Sequence, residues 1–434
     1  MEKLNETHDP AVRSWVPAAN QEDGDFPIQN LPFGVFRQEG SPARGGVAIG
    51  DQIFDLAAGL EAGLFTGEAA EAARAAGGPA LNPLMALGLG PASALRARLF
   101  DLLRADGRER SRVEPLAKRL LVPMSSVQMQ LPVKVNNFTD FICSSYHALR
   151  YHRLPVDSPL SPVLCHMPVA YNGRASSVRI SGEPMRRPNG QSKPEGEEVR
   201  FGPSKDLDFE LEVGAFIASE NALGSPVPIE AAPSHIFGFC LLNDWSARDI
   251  QRWESRLGPF LSKSASTTIS PWVVTAEALA PFHVPVYGRP AGCSALLPYL
   301  FSKTDQAEGA MDINLEAFLL TPRMREKNEP PARVTKTNFR HAYWTFAQMV
   351  AHHTSNGCNL QPGDLLGSGT VSGPTDESAA CLAEHAKPFA LPNGEMRHFL
   401  EDGDEVVFRG RARREGYVSI GLGECRGRIT PAPA

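Results

Sequence analysis

One short stretch of the sequence, Asp206-Leu207-Asp208-Phe209-Glu210-Leu211-Glu212-Val213, alternates acidic and apolar residues. Because alternate side chains of a β-strand share a face, the pattern predicts a strand with Asp208, Glu210 and Glu212 on one side and apolar residues in a core. Carboxylates within about 7 Å of one another repel unless a cation lies between them. A hard divalent ion with oxygen ligands would suit such a site. The alternative is a solvated strand face.

Two other acids stand in apolar, aromatic surroundings where a charge needs a partner or a metal. Asp140 lies in Phe138-Thr139-Asp140-Phe141, and Asp244 is followed directly by a tryptophan. Asp244 also precedes a possible helix, so it is equally well read as a helix N-cap. Both acids are therefore candidate ligands, with a structural role as the alternative.

Several basic and hydroxyl side chains could complete a reactive site. His147 follows Asp140 by seven residues, and either a catalytic or a structural role fits it. Lys263 lies in a predicted loop, as an oxyanion donor or a solvated side chain. The glycine-rich loop 367–373 could offer backbone N–H groups and Thr370 to a substrate carboxylate, or be a tight turn. The adjacent His352 and His353 cannot both face one site in regular structure, so we expect them to pack or lie at the surface.

Composition narrows the class of protein. Lysine and arginine number 43 against 49 acids, a net charge of -6, which argues against nucleic acid as a partner. The acidic start of the chain does not resemble a secretory signal, and no apolar run reaches the roughly 18–20 residues that cross a bilayer. The seven cysteines are scattered without a CxxC pair, which favours free thiols in a reducing cytoplasm. Neither a serine-nucleophile motif nor a nucleotide-binding loop is present.

The length of 434 residues allows two domains. We predict a flexible lead over residues 1–20, a small mixed domain over 21–131, and a mainly β domain over 132–434 that carries the site. The predicted strands of the small domain lie between Phe26 and Leu56, and its predicted helices span 60–76 and 92–105. The few helices expected in the larger domain span 234–240, 245–252 and 341–354.

A set of short motifs is similar to the fumarylacetoacetase family over nearly the whole chain. In order they are FPIQNLPFG (26–34), GRASS (173–177), NDWSARD (243–249), GPFL (258–261), TTISPW (267–272) and NGCNLQPGD (356–364). The resemblance implies a mainly β (α+β) fold, with a small SH3-like N-terminal domain and a fumarylacetoacetase-type C-terminal β-roll. It also implies a homodimer.

The resemblance assigns a metal site that residue pattern alone left open. It implies Asp140, Glu210, Glu212 and Asp244 as ligands of a divalent ion. It further implies a second cation position at Asp244, the Lys263 backbone and Thr267. Carboxylate ligands suit Mg²⁺, Ca²⁺ and Mn²⁺ alike, so the sequence leaves the ion undecided.

By the same resemblance, His147 and Glu384 correspond to a catalytic dyad. Oxyanion stabilisation falls on Arg248, Gln251 and Lys263. The implied substrate contacts are Arg153, Tyr171, Gln251 and Thr370, where a shortening of the chain at 150–154 leaves Arg150 as the alternative to Arg153.

The implied activity is metal-dependent hydrolysis of the carbon–carbon bond of fumarylacetoacetate to fumarate and acetoacetate, in tyrosine and phenylalanine catabolism. Three positions depart from the family pattern: Ile142 and Ser255 replace tyrosines, and Asn172 replaces a histidine. The losses of two phenols make a related acylpyruvate or β-diketone acid the alternative substrate. A decarboxylase or isomerase on the same scaffold, and a non-catalytic binding protein, are further alternatives that an intact dyad opposes.

Overall fold

The computed structural model describes residues 4–433. The strands of its N-terminal part are β1 (Phe33–Arg37), β2 (Arg44–Ile49), β3 (Gln52–Asp55), β4 (Leu121–Pro123) and β5 (Gln128–Gln130). The helices of this part are α1 (Leu56–Glu61), α2 (Gly67–Ala76), α3 (Asn82–Ala86), α4 (Leu89–Leu103), α5 (Arg110–Val113) and α6 (Ala117–Leu120). Short 3₁₀ turns span Glu6–His8, Pro17–Asn20, Glu114–Leu116 and Met124–Ser126.

The rest of the chain is built mainly of strands. They are β6 (Phe138–Phe141), β7 (Ala170–Gly173), β8 (Val178–Ile180), β9 (Met185–Arg186), β10 (Asn189–Ser192), β11 (Arg200–Pro203), β12 (Leu207–Asp208), β13 (Leu211–Ile217), β14 (Ile236–Asp244), β15 (Ser246–Ala247), β16 (Thr267–Ile269), β17 (Trp272–Thr275), β18 (His283–Val284), β19 (Ala310–Met311), β20 (Ile313–Leu320), β21 (Ala332–Asn338), β22 (Leu365–Gly367), β23 (Phe389–Ala390), β24 (Met396–Arg397), β25 (Glu405–Ala412) and β26 (Ile420–Thr430).

Short helices connect these strands. They are α7 (Ser145–Tyr151), α8 (Pro162–His166), α9 (Arg248–Glu254), α10 (Leu261–Ser264), α11 (Ala276–Leu279), α12 (Lys303–Glu308), α13 (Pro322–Glu326) and α14 (Phe346–Thr354). Single 3₁₀ turns span Ala175–Ser177, Ala232–His235, Ala280–Phe282, Pro298–Leu300, Phe339–His341, Asp376–Ser378 and Leu382–Glu384.

One large mixed sheet connects the two parts of the chain. Its strands follow the order β4-β3-β2-β1-β17-β14-β13-β22-β6-β7, and β1 pairs antiparallel with β17. A second sheet, β21-β20-β25-β26-β9, packs its apolar residues into the core of the C-terminal part. The mainly β, α+β architecture predicted from the sequence is confirmed.

The start of the chain is packed against the rest of the protein. Within the predicted flexible lead, Thr7 and His8 are buried, and residues 1–3 lie outside the described range. His8 Nε2 lies 2.8 Å from the backbone oxygen of Glu277, and Asn5 donates to the Glu277 carboxylate at 2.6 Å. These contacts hold the lead against α11 of the C-terminal part.

Two helix predictions differ from the structure. The stretch 60–76 is split between α1 and α2, because Gly63 between them and Gly67 at the start of α2 adopt positive φ values of 66° and 55°. The stretch 234–240 runs into the strand β14 after one 3₁₀ turn. All nine residues of β14 are buried, so the sequence there lacks the alternation that distinguishes a strand from a helix.

The prediction that all cysteines are free is wrong for two of them. Cys165 and Cys293 form a disulfide across 128 residues, whereas the other five cysteines are free. Only the tertiary structure brings this pair together, and the spacing of the cysteines gave no indication of it. Among residues 4–433, no helix is long and apolar enough to cross a membrane.

Candidate active site

Four buried carboxylates converge at the centre of the large sheet. Asp140, Glu210, Glu212 and Asp244 each offer an oxygen that lies within 4.8 Å of the others. Asp244 lies on β14, Glu212 on β13 with Glu210 just before that strand, and Asp140 on β6, while β22 lies between β13 and β6. The intervening strand contributes Gly367, where an added Cβ would lie 2.4 Å from Asp140 Oδ1. A glycine at this position therefore lets the carboxylates approach each other.

The predicted grouping of Asp208 with Glu210 and Glu212 is wrong. The strand is interrupted after Asp208, because β12 pairs with β15 whereas β13 pairs with β14 and β22. Asp208 instead accepts hydrogen bonds from two backbone N–H groups of the turn Leu382–Glu384, at 2.7 and 3.0 Å. Its carboxylate also accepts from Arg248 Nε at 2.9 Å.

Two cations neutralise one side of the carboxylate cluster. Lys263 Nζ donates to Glu210 and, at 2.6 Å, to Asp244, while Arg248 Nη2 lies 2.7 Å from Glu210 Oε1. Burial alone would raise the pKa of Glu210, but Lys263 and Arg248 outweigh it and hold that pKa well below its usual range. Conversely, Asp244 and Glu210 outweigh the effect of burial on Lys263 and raise its pKa, which keeps the amine charged.

The other side of the cluster lacks a compensating charge among the described residues. Asp140 Oδ1 and Glu212 Oε1 are buried without a hydrogen-bond partner. Burial raises the pKa of both carboxyl groups, and the neighbouring carboxylates raise it further. A divalent cation bound by these oxygens would satisfy both groups and reverse the effect. The residues present therefore fit a divalent metal.

Thr267 and the Lys263 side chain both contact Asp244, the shared residue of the predicted second cation position. Thr267 is paired with Asp244 in the register of β14 and β16, and its hydroxyl donates to Asp244 at 3.3 Å. The Lys263 side chain already occupies the space between Glu210 and Asp244. A second cation there stays a prediction.

The predicted dyad forms at the edge of the same site. His147 Nδ1 lies 2.7 Å from Glu384 Oε1, which also accepts a hydrogen bond from Ser372 Oγ at 2.5 Å. His147 lies in the first turn of α7, where its backbone N–H donates to the N-cap Ser144, and Glu384 ends the turn that Asp208 holds. With Nδ1 bound to the carboxylate, Nε2 is the ring nitrogen left to exchange a proton.

The three predicted oxyanion donors lie on two short neighbouring helices, α9 and α10. Arg248 and Gln251 are one turn apart on α9, and Arg248 Nη1 donates to the Gln251 amide oxygen at 3.0 Å. Because that oxygen is engaged, the amide N–H₂ of Gln251 is the end that can donate to a substrate. Lys263 on α10 completes the set.

Arg248, Gln251 and Lys263 line one cavity of about 1430 Å³. Gln251, Tyr171 and Thr370 line it, as predicted for substrate contacts; the Tyr171 hydroxyl donates to Asp244 at 2.7 Å, and Thr370 Oγ1 is buried without a hydrogen-bond partner among the described residues. Arg153 does not line the cavity. Its guanidinium donates to the backbone oxygens of Glu384 and His385, and its role as a substrate contact stays a prediction.

Arg150, the alternative to Arg153, is also engaged elsewhere. It donates to the backbone oxygens of Gly373 and Thr375 at 2.7 and 2.8 Å. Its guanidinium therefore fixes the loop behind the dyad, where it lies 3.6 Å from Glu384 Oε2.

Glu254 is a positioning residue that the sequence analysis missed. Its carboxylate accepts hydrogen bonds from the backbone N–H groups of Phe260, Leu261 and Ser262, and from the Ser262 hydroxyl, at 2.6–3.1 Å. It thus ties the end of α9 to the start of α10 and holds the helix that carries Lys263. A glutamate six residues before its first partner carries no recognisable capping signal, so only the structure could identify it.

Two comparisons with family models match most of the chain. Residues 29–132 match the model described as fumarylacetoacetase N-terminal, and residues 137–430 match the fumarylacetoacetate (FAA) hydrolase C-terminal model. The chain belongs to the fumarylacetoacetate hydrolase family.

Full-length relatives support the same assignment. Fumarylacetoacetase of Oryza sativa subsp. japonica is 46% identical over 97% of this chain and 98% of its own length. The fumarylacetoacetases of Bos taurus and Homo sapiens are 46% and 45% identical, each over 96% of this chain and 99% of their own length. Among solved structures, a fumarylacetoacetate hydrolase from psychrophilic Exiguobacterium antarcticum aligns with a TM-score of 0.51 at 16% identity, covering 92% of this chain and 99% of that chain. That structure supports the fold.

Replacing Glu254 by glutamine should reduce kcat about 10- to 100-fold, because Lys263 loses its fixed position but remains present. Steady-state kinetics should show the loss mainly in kcat, while the exposed Glu197→Gln is the matched control. Since Glu254 acts through Lys263, adding Glu254→Gln to Lys263→Ala should cost little more than Lys263→Ala alone. Multiplicative losses in the double variant would contradict the positioning role.

Removing one carboxylate of the cluster should weaken metal binding. We expect Glu212→Ala to reduce Mn²⁺ affinity more than about 100-fold, since loss of a group that only supports a ligand already costs about 10- to 100-fold. Electron paramagnetic resonance of free Mn²⁺ measures this directly. The control is Asp305→Asn, which removes a buried carboxylate outside the cluster. Equal affinity in wild type and Glu212→Ala would rule out Glu212 as a ligand.

Proposed function

We propose that this protein hydrolyses the carbon–carbon bond of fumarylacetoacetate to give fumarate and acetoacetate. The observation that carries the proposal is the placement of one imidazole. His147, oriented by Glu384 at 2.7 Å, lines the same cavity as Asp140 and Glu210 of the carboxylate cluster. A base, a cation site and oxyanion donors therefore surround one volume, as hydrolysis of a β-diketone requires.

The residues suggest how the reaction proceeds. Glu384 accepts a hydrogen bond from the Nδ1–H group of His147. This leaves Nε2 to take a proton from a water molecule as that water attacks the substrate carbonyl. Arg248, Gln251 and Lys263 donate to the oxyanion that develops. Loss of one such donor costs about 2.7–4 kcal/mol in comparable sites. The proton on His147 is then available to the carbon that leaves.

A divalent cation in the carboxylate cluster would polarise the diketone and stabilise negative charge on its oxygens. We propose Mg²⁺ or Ca²⁺, with Mn²⁺ as a further possibility, because four carboxylates form an all-oxygen donor set. Asp140 and Glu210 line the cavity, so the cluster faces the substrate through these two side chains.

Substrate recognition rests on polar groups at the cavity wall. Thr370 Oγ1 and the N–H₂ group of Gln251 are free to donate, and the Tyr171 hydroxyl lies beside Asp244. Ile142 presents an apolar side chain to the cavity, and the Ser255 hydroxyl donates to the Gln251 backbone oxygen. Neither supplies the phenol expected from the resemblance, which supports a shorter acylpyruvate or a related β-diketone acid as the second candidate.

Tyr151 offers a phenol from another element. Its hydroxyl donates to the Gln251 amide oxygen at 3.3 Å, and its ring lies 5.2 Å from the Arg248 guanidinium. The side chain lines the cavity. We propose that it contributes substrate contacts in place of the two absent tyrosines.

We further propose a cytoplasmic homodimer that acts in tyrosine and phenylalanine catabolism. The family resemblance supports the dimer and the pathway. The mildly acidic composition and the five free cysteines support the compartment, whereas the Cys165–Cys293 disulfide favours a more oxidising one.

The activity is tested by following the absorbance of fumarylacetoacetate after purified protein is added, in one sample with Mg²⁺ and in another with a chelator. Rapid loss that yields fumarate and stops on chelation is the expected result. A clear preference in kcat/KM for shorter acylpyruvates would replace the proposed substrate with the second candidate. Bound metal without turnover of any diketone acid would contradict hydrolysis.

His147→Ala should lower kcat about 100- to 10,000-fold, which is the usual contribution of a general base. Metal affinity should be unchanged, because His147 is not part of the carboxylate cluster. The matched control is His235→Ala, a histidine outside the cavity whose Nδ1 is bound to the Ser219 backbone oxygen. Activity of the His147 variant close to wild type would remove it as the base.

A further inference from the structure

A buried thiol lies directly against the dyad, and the proposed reaction does not use it. Cys381 Sγ is 3.6 Å from Glu384 Oε1 and 3.9 Å from His147 Nδ1. The third side of this triangle is the 2.7 Å contact between His147 Nδ1 and Glu384 Oε1. An imidazole nitrogen, a thiol sulfur and a carboxylate oxygen therefore meet around one point.

The size of this triangle matches the bond lengths of zinc. A circle through three atoms separated by 2.7, 3.6 and 3.9 Å has a radius of about 2.0 Å. Zinc bonds to nitrogen and oxygen are about 2.0–2.2 Å and its bonds to sulfur about 2.3 Å. An ion slightly above the plane of the three atoms is within bonding distance of all of them once the His147 ring rotates to turn Nδ1 from Glu384 Oε1 toward it.

The donor set differs in kind from the carboxylate cluster. Thiolate and imidazole favour zinc and similar ions, whereas Mg²⁺ and Ca²⁺ favour oxygen. The two sites therefore select different metals. Ser372 Oγ donates to Glu384 Oε1 and fixes that oxygen in place before any ion arrives.

We propose that His147, Cys381 and Glu384 form an inhibitory binding site for a thiophilic divalent ion such as Zn²⁺. On binding, the thiol proton of Cys381 leaves to solvent, and the proton on His147 Nδ1 moves to Nε2. The ion forms bonds to Nδ1, Sγ and Oε1, and a water molecule from the cavity completes a tetrahedral shell. The site gains one net positive charge.

Some of the neighbouring charges disfavour a bound cation, whereas others favour it. Arg150, 3.6 Å from Glu384 Oε2, and Arg248 disfavour a further cation. The Cys381 thiolate and the Glu384 carboxylate together neutralise a divalent ion, so the bound group is uncharged overall. His147 lines the cavity, whereas Cys381 and Glu384 are buried and do not, so rotation of the His147 ring must open the route of the ion from solvent.

Inhibition follows from the change at the imidazole. With the metal on Nδ1, Nε2 carries the proton and cannot accept one from water, and Glu384 no longer orients the ring. This consequence rests on the proposed function of His147 as the base. Binding of the ion itself does not.

Cobalt binding tests the site independently of activity. Co²⁺ is titrated into protein held in saturating Mg²⁺ without added thiol, and the thiolate-to-cobalt charge-transfer band is recorded. The band should appear in wild type and disappear in Cys381→Ser. It should persist in Cys358→Ser, a control for the partly exposed thiol that also lines the cavity. A band unchanged in Cys381→Ser overturns the proposed site.

Zinc inhibition tests the consequence, with each variant compared with its own activity in Mg²⁺ alone. The zinc concentration for half inhibition should rise more than about 100-fold in Cys381→Ser, because a ligand is lost. Equal inhibition of both proteins overturns the inhibitory site. A cobalt band that depends on Cys381, with an active enzyme that zinc does not inhibit, overturns the inhibition and the role of His147 while leaving the metal site in place.

Discussion

The arrangement of this site depends on the repulsion among four carboxylates that are buried within 4.8 Å of one another. Burial and mutual repulsion both disfavour the charged forms, and the effect is strong in a low-dielectric interior. Lys263 and Arg248 relieve it on the side of Glu210 and Asp244. Asp140 and Glu212 have no such partner among the described residues, so the same repulsion that disfavours folding favours a divalent cation at these two side chains.

The surrounding fold is arranged to bring the opposing charges to fixed positions. Neighbouring strands of the large sheet supply the four acids, and a glycine on β22 provides the space between two of them. The two cations, Arg248 and Lys263, lie outside the sheet on α9 and α10. The Glu254 carboxylate connects these two helices.

A single buried ion pair connects the cluster with the dyad. Asp208 accepts from Arg248 and from two N–H groups of the turn that ends at Glu384. Arg248 and the turn that carries Glu384 are thus fixed by the same side chain. Breaking a buried pair of this kind leaves an uncompensated charge, which is usually strongly destabilising. Asp208 therefore contributes to the geometry of the site without facing the substrate.

The sequence by itself determined the chemistry of the residues and the family. Alternating acids after residue 206 indicated a carboxylate site, and the ordered motifs indicated by position the candidate dyad, oxyanion donors and metal ligands. Both indications depend on the local order of residues, which can be read directly from one sequence. Even there, the strand that would have aligned Asp208 with Glu210 is interrupted, because pairing with β15 ends where pairing with β14 begins.

Only the tertiary structure decided which groups meet across long separations. It bound Arg153 to the backbone of residues 384 and 385, paired Cys165 with Cys293, and placed Glu254 against the start of the Lys263 helix and Cys381 beside the dyad. These relations depend on packing between segments that are distant in sequence or joined by irregular loops. Periodicity and spacing describe what one segment prefers, whereas the partners of a buried polar group are set by whatever the fold packs against it.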